Sequence, residues 1–225
     1  MFTGLIETVG TVRSVRAGAG SVEICVCPGT PGYAVDIGGS VAIDGVCLTL
    51  EKHGGNGEMF FTAVAETLKR TTFNNVTAGR KVNLERAMRA DGRFDGHIVL
   101  GHVDAMGKII ADEKAGVSIV RTIEVPEDIS PFMAEKGSVT IDGISLTIAK
   151  AGVNTISLSL IPATINMTTM SIKKVGDYVN IEYDVLARYI HRMLTAGILP
   201  DIPAVKGFVG GRNESLIDKM ERLGF

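Results

Sequence analysis

The sequence predicts an all-β protein built from two tandem copies of one small barrel, followed by a helical tail. Three observations predict it. The chain contains an internal repeat that covers most of its 225 residues. Short β-branched runs are separated by Gly, Asn and Asp, which is typical of many short strands. Each copy also carries an Asp-Gly pair between two alternating apolar segments, the sequence signal of a tight hairpin.

The repeat is the strongest signal, and it sets the domain organisation. Residues 39–50 recur as 137–148 with eight of twelve positions identical and an offset of 98. Three further pairs of segments keep the same order at an offset of 97: 4–10 with 101–107, 66–72 with 163–169, and 79–85 with 176–182. Order and spacing kept together indicate a duplicated domain. We therefore expect barrels over residues 1–97 and 98–184 and a tail over 185–225.

Each copy is expected to be antiparallel. Apolar residues alternate with polar or small ones on either side of Asp44-Gly45, and the second copy does the same around Asp142-Gly143. Several short strands at even spacing favour a closed barrel, because closure leaves no exposed strand edge. Short helical pieces are expected at 131–136 and around 66–71.

The tail has helical rather than strand periodicity. Leu186, Ile190, Met193 and Leu194 fall at helical spacing, and Asn213 can cap a last helix. Its apolar stripe must be buried, either in a homo-oligomer contact or against its own barrel, and the pattern favours neither.

Composition excludes several functional classes. The net charge is −2 with no basic run, so nucleic acid is not an expected partner. The longest apolar stretches fall far short of the roughly 20 residues that cross a bilayer. The first ten residues lack the features of a signal peptide, which predicts a cytoplasmic protein whose three cysteines are free thiols. No nucleotide-binding glycine motif is present, and no cofactor is expected.

Five segments resemble the lumazine-binding repeats of the riboflavin synthase family: 1–6 (MFTGLI), 45–49 (GVCLT), 96–102 (GHIVLGH), 141–147 (IDGISLT) and 160–164 (LIPAT). The resemblance implies six-stranded Greek-key barrels, a homotrimer, and a possible association with lumazine synthase. It implies that two molecules of 6,7-dimethyl-8-ribityllumazine exchange a four-carbon unit, which gives riboflavin and 5-amino-6-(ribitylamino)uracil. Each repeat would bind one molecule, and a site would form between the first barrel of one subunit and the second barrel of its neighbour.

The resemblance also assigns site residues. Substrate contacts fall in the first repeat on Gly4, Leu5, Ile6, Cys47, Leu48, Thr49, Thr62, Ala63, Val64, Ala65, Glu66 and Thr67. In the second repeat they fall on Gly101, His102, Val103, Ser145, Leu146, Thr147, Ser159, Leu160, Ile161, Pro162, Ala163 and Thr164, with Lys136 reaching a ligand in the neighbouring subunit. The chemistry is associated with Phe2, Ser40, Cys47, His102, Ser145 and Asp184. Some members have a second cysteine where this chain has Val46, so that position is not expected to be essential.

The two repeats differ where the reaction would need asymmetry. Matched positions pair Leu5 with His102, Gly38 with Lys136, Cys47 with Ser145, and Ala87 with Asp184. The second copy thus carries titratable or hydroxyl groups where the first carries inert or soft ones. We expect the second repeat to supply most of the acid–base groups, with Asp184 and His102 assisting proton removal from the 7-methyl group of lumazine.

Other interpretations remain open for single residues. Cys47 lies in an apolar strand and can be an inert buried thiol. Ser40 and its counterpart Ser138 can cap turns. Thr49, Thr147, Thr67 and Thr164 recur in both copies, which fits either equivalent ligand contacts or maintenance of the fold. His97 and His102 could suggest a metal pair, but they lack helical i, i+4 spacing and a third ligand, and no metal is expected.

Two other functions are considered beside the enzyme. One is a lumazine- or flavin-binding antenna protein of the same fold, which binds but does not catalyse; the polar set of the second repeat argues against it. The other is a purely structural two-barrel module, which would leave that polar set unexplained.

Overall fold

A computed structural model describes residues 1–196 of the chain, and in this part strands dominate. The strands of the first repeat are β1 (Thr8–Ala17), β2 (Ser21–Cys27), β3 (Ser40–Ile43), β4 (Val46–Thr49), β5 (Lys52–His53), β6 (Met59–Val64) and β7 (Lys81–Arg86). Those of the second are β8 (Ala105–Ala115), β9 (Ser118–Glu124), β10 (Ser138–Ile141), β11 (Ile144–Ala151), β12 (Thr155–Leu160) and β13 (Tyr178–Tyr183). The α-helices are α1 (Ala65–Arg70), α2 (Pro162–Met167) and α3 (Val185–Thr195).

The second repeat forms a closed six-stranded barrel in the order β10-β11-β12-β9-β8-β13. Every pairing in it is antiparallel. Its isoleucines alternate toward the interior, and Ile109, Ile123, Ile141 and Ile148 are among the largest side chains that are fully buried. The predicted all-β barrel is confirmed for this copy.

The first repeat forms a seven-stranded sheet in the order β4-β3-β7-β1-β2-β6-β5. The additional strand arises because the counterpart of the long strand β11 is divided into β4 and β5 by Leu50 and Glu51. The Glu51 amide still donates to the carbonyl oxygen of Phe60 in β6 at 3.0 Å. The predicted six strands are therefore present, with one of them interrupted.

Both Asp-Gly hairpins form as predicted, and their turns meet each other. Asp44 and Gly45 both have positive φ (47° and 78°), as do Asp142 and Gly143 (47° and 80°), which is the backbone of a tight two-residue hairpin. A Cβ atom on Gly45 would lie 2.7 Å from the amide nitrogen of Gly143. The two turns thus pack tip to tip where the barrels join, at a distance that only glycine allows.

Two buried asparagines connect the barrels by hydrogen bonds around this point. The side-chain amide of Asn83 donates to the carbonyl oxygen of Asp142 at 2.9 Å, and Asn180 makes the reciprocal bond to Asp44 at 2.8 Å. Each asparagine oxygen also accepts a backbone N–H from the other barrel at 2.8 Å. Both side chains use their oxygen and their amide group in these interior hydrogen bonds, so they favour one relative placement of the barrels over others.

The chain divides into a compact unit, Met1–Val185, and a second unit, Leu186–Phe225. Helix α3 begins close to the position predicted for the tail. The predicted last helix, from Asn213 onward, lies outside the described residues. Within residues 1–196 no helix has the length and apolar character needed to cross a membrane.

Candidate functional site

The candidate site is built where a loop from each repeat crosses to the other barrel. The carbonyl oxygen of Gly4, which precedes the first barrel, accepts the amide of Ser145 in β11 at 2.8 Å. The carbonyl oxygen of Gly101, which precedes the second barrel, accepts the amide of Cys47 in β4 at 2.9 Å. Four residues that the sequence assigned to ligand contacts thus form two equivalent pairs, each made from both repeats.

Glycine is required at both crossings. Gly4 and Gly101 have φ angles of 78° and 75°, a region that favours glycine. A Cβ on Gly4 would lie 2.6 Å from the Cβ of Ser145, and one on Gly101 would lie 2.6 Å from the Cβ of Cys47. The loop backbones therefore lie directly on the β-carbons of the two residues that differ between the repeats.

Two glutamates that sequence reasoning missed hold these loops. Glu85 accepts the amide of Thr3 at 2.6 Å, its hydroxyl at 2.7 Å and the amide of Gly4 at 3.0 Å. Glu182 accepts three consecutive amides, from residues 100 to 102, at 2.8, 2.9 and 3.2 Å. Burial raises the pKa of Glu85 and raises that of Glu182 to about 7. Glu85 and Glu182 occupy matched positions of the two repeats, 97 residues apart, and this shared glutamate is the sequence signal that could have identified them.

His97 is a third site residue that the prediction did not include. Its Nδ1 atom lies 2.7 Å from the hydroxyl oxygen of Ser145, and the side chain is buried. Burial lowers the pKa of His97, while the charge of Asp184 opposes that shift. The neutral imidazole can accept a proton through the serine hydroxyl, which is the arrangement that general acid–base chemistry needs.

His102, the histidine predicted for this role, has an exposed side chain. Its backbone amide belongs to the loop that Glu182 holds. His97 lies at the end of the predicted first domain and outside the four pairs of matched segments, so a comparison of matched positions could not find it.

Cys47 has a different environment from its counterpart Ser145. Phe2, Ala42 and Val99 form a small buried apolar cluster, and Cys47 packs against it. Phe2 is wholly buried and pairs with Val99 through backbone hydrogen bonds of 2.7 and 3.2 Å. The crossing at Gly101 and Cys47 is therefore apolar around a thiol, and the crossing at Gly4 and Ser145 is polar around a hydroxyl.

The remaining predicted contacts divide by exposure. Residues 62–67 run from the end of β6 into α1, and 159–164 run from the end of β12 into α2. In each segment three consecutive residues are exposed, Val64 to Glu66 and Ile161 to Ala163. Lys136 is exposed at a turn with a φ of 64°. These equivalent exposed segments suit contact with a ligand lying on the barrel surface.

The surface offers two concavities relevant to the site. One of about 480 Å³ contains Leu5 and Ser40 together with Ala87, the counterpart of Asp184. A larger one of about 770 Å³ lies between the barrels beside Arg80 and Lys173 and includes none of the predicted residues. The smaller concavity is the better candidate because the Gly4 loop and Glu85 border it.

The described residues give no sign of a metal centre. Among residues 1–196, no three His, Cys, Asp or Glu side chains are grouped so that they could hold an ion. Cys25, Cys27 and Cys47 are free thiols.

Comparison with known proteins is consistent with this duplicated architecture. The model of the lumazine binding domain matches the chain twice, over residues 3–87 and 100–184. A riboflavin synthase of Photobacterium phosphoreum is 43% identical over 226 residues, covering 100% of this chain and 99% of the relative. A riboflavin synthase of Bacillus subtilis is 39% identical over 194 residues, covering 86% and 90%.

Solved structures share the fold at lower identity. The crystal structure of LumP complexed with riboflavin has a TM-score of 0.74 and 20% identity, covering 81% of this chain and 99% of that one. LumP complexed with 6,7-dimethyl-8-(1′-D-ribityl) lumazine has a TM-score of 0.71 at the same identity and coverage. At this identity the likeness concerns the fold.

Proposed function

The chain belongs to the riboflavin synthase family, and from this premise we propose how its two barrels carry out the reaction. Each barrel binds one molecule of 6,7-dimethyl-8-ribityllumazine. One molecule donates a four-carbon unit to the other, which gives riboflavin and 5-amino-6-(ribitylamino)uracil. The observation that carries this assignment is similarity to riboflavin synthases at 39% and 43% identity over 86% and 100% of the chain.

The duplicated fold supports a reaction between two identical molecules. Two like pockets hold two like reactants, and orienting both removes much of the entropic barrier to their encounter. The crossings at Gly4–Ser145 and Gly101–Cys47 support equivalent placement of a ligand beside each strand.

The unequal environments support unequal roles for the two molecules. The Ser145 hydroxyl and the His97 imidazole, with the charge of Asp184 acting on it, form a polar group suited to moving a proton from the acidic 7-methyl position. Cys47, packed on the apolar Phe2 cluster, suits a molecule that is held rather than deprotonated. Ser145 and Asp184 of the second repeat, together with His97 from the segment that precedes it, therefore supply the acid–base groups.

The finer assembly is part of the same proposal. The domains are residues 1–97, 98–184 and 185–225, and the tail mediates a cytoplasmic homotrimer in which Lys136 contacts a ligand of the neighbouring subunit. Association with lumazine synthase would bring the source of the substrate close. Light scattering of the full chain tests the trimer, and a monomeric mass at micromolar concentration would refute it.

The test of the activity is direct. The purified protein is mixed with 6,7-dimethyl-8-ribityllumazine, and riboflavin formation is followed by its absorbance, with a protein-free control for the uncatalysed reaction. Turnover is the expected result. Binding of lumazine or riboflavin without turnover would instead identify a non-catalytic ligand-binding protein of the LumP type, and neither would leave only a structural role.

A further inference from the structure

We infer that Glu85 and Glu182 are positioning residues that act across the molecule, each holding the loop that completes the site of the opposite barrel. The inference rests on the proposed function for the meaning of the sites. Its geometry stands on hydrogen bonds within the protein. It assigns a role to two buried acids whose carboxylates accept hydrogen bonds from loop amides and from the Thr3 hydroxyl rather than from the six side chains predicted to be catalytic.

The first half of the relationship starts in β7. Glu85 lies in the first barrel, and both of its carboxylate oxygens accept hydrogen bonds from residues Thr3 and Gly4. The carbonyl of Gly4 then accepts the amide of Ser145, in the second barrel. A glutamate of the first barrel thus fixes the backbone that lies against the hydroxyl-bearing site of the second.

The second half repeats this relationship in the opposite direction. Glu182 lies in β13 of the second barrel and accepts the amides of Leu100, Gly101 and His102. The carbonyl of Gly101 accepts the amide of Cys47, in the first barrel. The same loop carries Val99, which pairs with Phe2 beside Cys47.

The choice of a carboxylate at these positions needs a specific reason. Each side chain is 4% exposed, and an anion in the interior is costly unless it is extensively hydrogen-bonded. In its ionised form, which for Glu182 predominates above its pKa of about 7, a carboxylate has two acceptor oxygens and no donor. It alone among side chains can then receive three converging N–H or O–H groups without an unfavourable donor–donor contact. Glutamine would turn an NH₂ group toward one of these donors, so the loop would lose part of its anchor while the strand kept its length.

Residue-resolved hydrogen–deuterium exchange of the full chain at pH 8, above the pKa of Glu182, tests the crossed arrangement. Glu182→Gln is expected to speed exchange of the Cys47 amide, and Glu85→Gln that of the Ser145 amide, each by about tenfold or more, as for the loss of a hydrogen bond to a charged group. The amide at the uncrossed site should stay within about twofold of the wild type. Glu113→Gln, a change at an exposed strand glutamate, is the matched control and should change neither amide.

Activity and a milder variant complete the test. Each Gln variant should lower kcat/KM for riboflavin formation at least about tenfold, and Glu182→Asp, which keeps both acceptor oxygens, should recover part of that loss.

Thr3→Val removes one donor to Glu85 without touching its charge and should speed exchange at Ser145 alone. Equal loosening of both amides by one variant, or no change at either, overturns the inference. Absence of turnover in the wild type would refute the proposed function but leave the exchange result standing.

Discussion

The Nδ1 atom of His97 lies 2.7 Å from the hydroxyl oxygen of Ser145, although the two residues come from different parts of the chain. His97 lies between the repeats, whereas Ser145 follows the Asp-Gly turn of the second barrel. The contact gives the crossing at Ser145 a proton-transfer pair, and among the described residues the crossing at Cys47 has no such pair.

Replacing this histidine should impair catalysis more than folding. His97→Ala removes the imidazole beside Ser145, and we expect kcat to fall by about a hundredfold, the lower end of the range for loss of an acid–base group. Because burial lowers the pKa of His97, the acid limb of the wild-type pH–rate profile should lie below the pH expected for an ordinary histidine. Steady-state riboflavin formation between pH 5 and 8 measures both. His53→Ala, at an exposed histidine, is the control; equal rates in the two variants would contradict the role.

Exchanging the two matched side chains should reveal the asymmetry of the sites. Ser145→Cys replaces a hydroxyl by a weaker hydrogen-bonding thiol beside His97, and we expect kcat/KM to fall roughly threefold to tenfold. Cys47→Ser, in the apolar cluster of Phe2, should change kcat/KM less than Ser145→Cys does. The same assay compares both. A larger effect at Cys47 would assign the acid–base half of the reaction to the first barrel.

The close approach at Gly101 can be separated from the demand of its backbone angle. Gly101→Ala places a Cβ 2.6 Å from that of Cys47 at a φ of 75°, and we expect a loss of about 2–4 kcal/mol in the free energy of unfolding. Gly20→Ala has the same φ with no atom within 4 Å, and should cost about 1 kcal/mol. Urea denaturation of both variants gives the difference. Equal costs would show that the crossing tolerates a side chain.

Asp184 is the one carboxylate that distinguishes the second repeat at the end of its last strand, where the first has Ala87. Asp184→Ala should lower riboflavin formation by about tenfold or more with normal folding, because its charge acts on the pKa of His97. Circular dichroism checks the fold, and Asp91→Ala, at an exposed site, is the control. Full activity in correctly folded Asp184→Ala would remove this residue from the mechanism.

Local signals and duplication predicted much of the fold, whereas the contacts that build the site are distant in sequence. The hairpins at Asp44-Gly45 and Asp142-Gly143 follow from turn chemistry alone. That these turns meet each other depends on packing between the barrels, which no local pattern contains. Comparison of the two repeats identified Cys47 and Ser145 because these matched residues differ.

The same comparison overlooked residues for opposite reasons. Glu85 and Glu182 are identical, so they offered no contrast, although an acid directly after the apolar Leu84 and Ile181 hinted at a buried charge. His97 was considered only as a metal ligand with His102, because it lies outside the matched segments that the comparison used. A search for asymmetry therefore found the differences between the sites and missed the symmetric groups that hold them.

The raised pKa of Glu182 makes a prediction about stability and pH. Burial raises its pKa in the folded protein to about 7, from 4.5 for a glutamate in water. Between these values the folded state binds a proton that the unfolded state has lost, so this group's contribution to stability is full below pH 4.5 and is lost as the pH rises through 7. The difference between the folded and unfolded pKa of Glu182 corresponds to a change in unfolding free energy of about 3 kcal/mol at most, and Glu182→Gln should remove this part of the pH dependence.

Urea denaturation at pH 5 and pH 8 measures this change: the fall in unfolding free energy between the two pH values should be smaller in Glu182→Gln than in the wild type and in Glu113→Gln. An unchanged fall would mean that Glu182 is ionised in the folded protein across this range, held by its three amide donors.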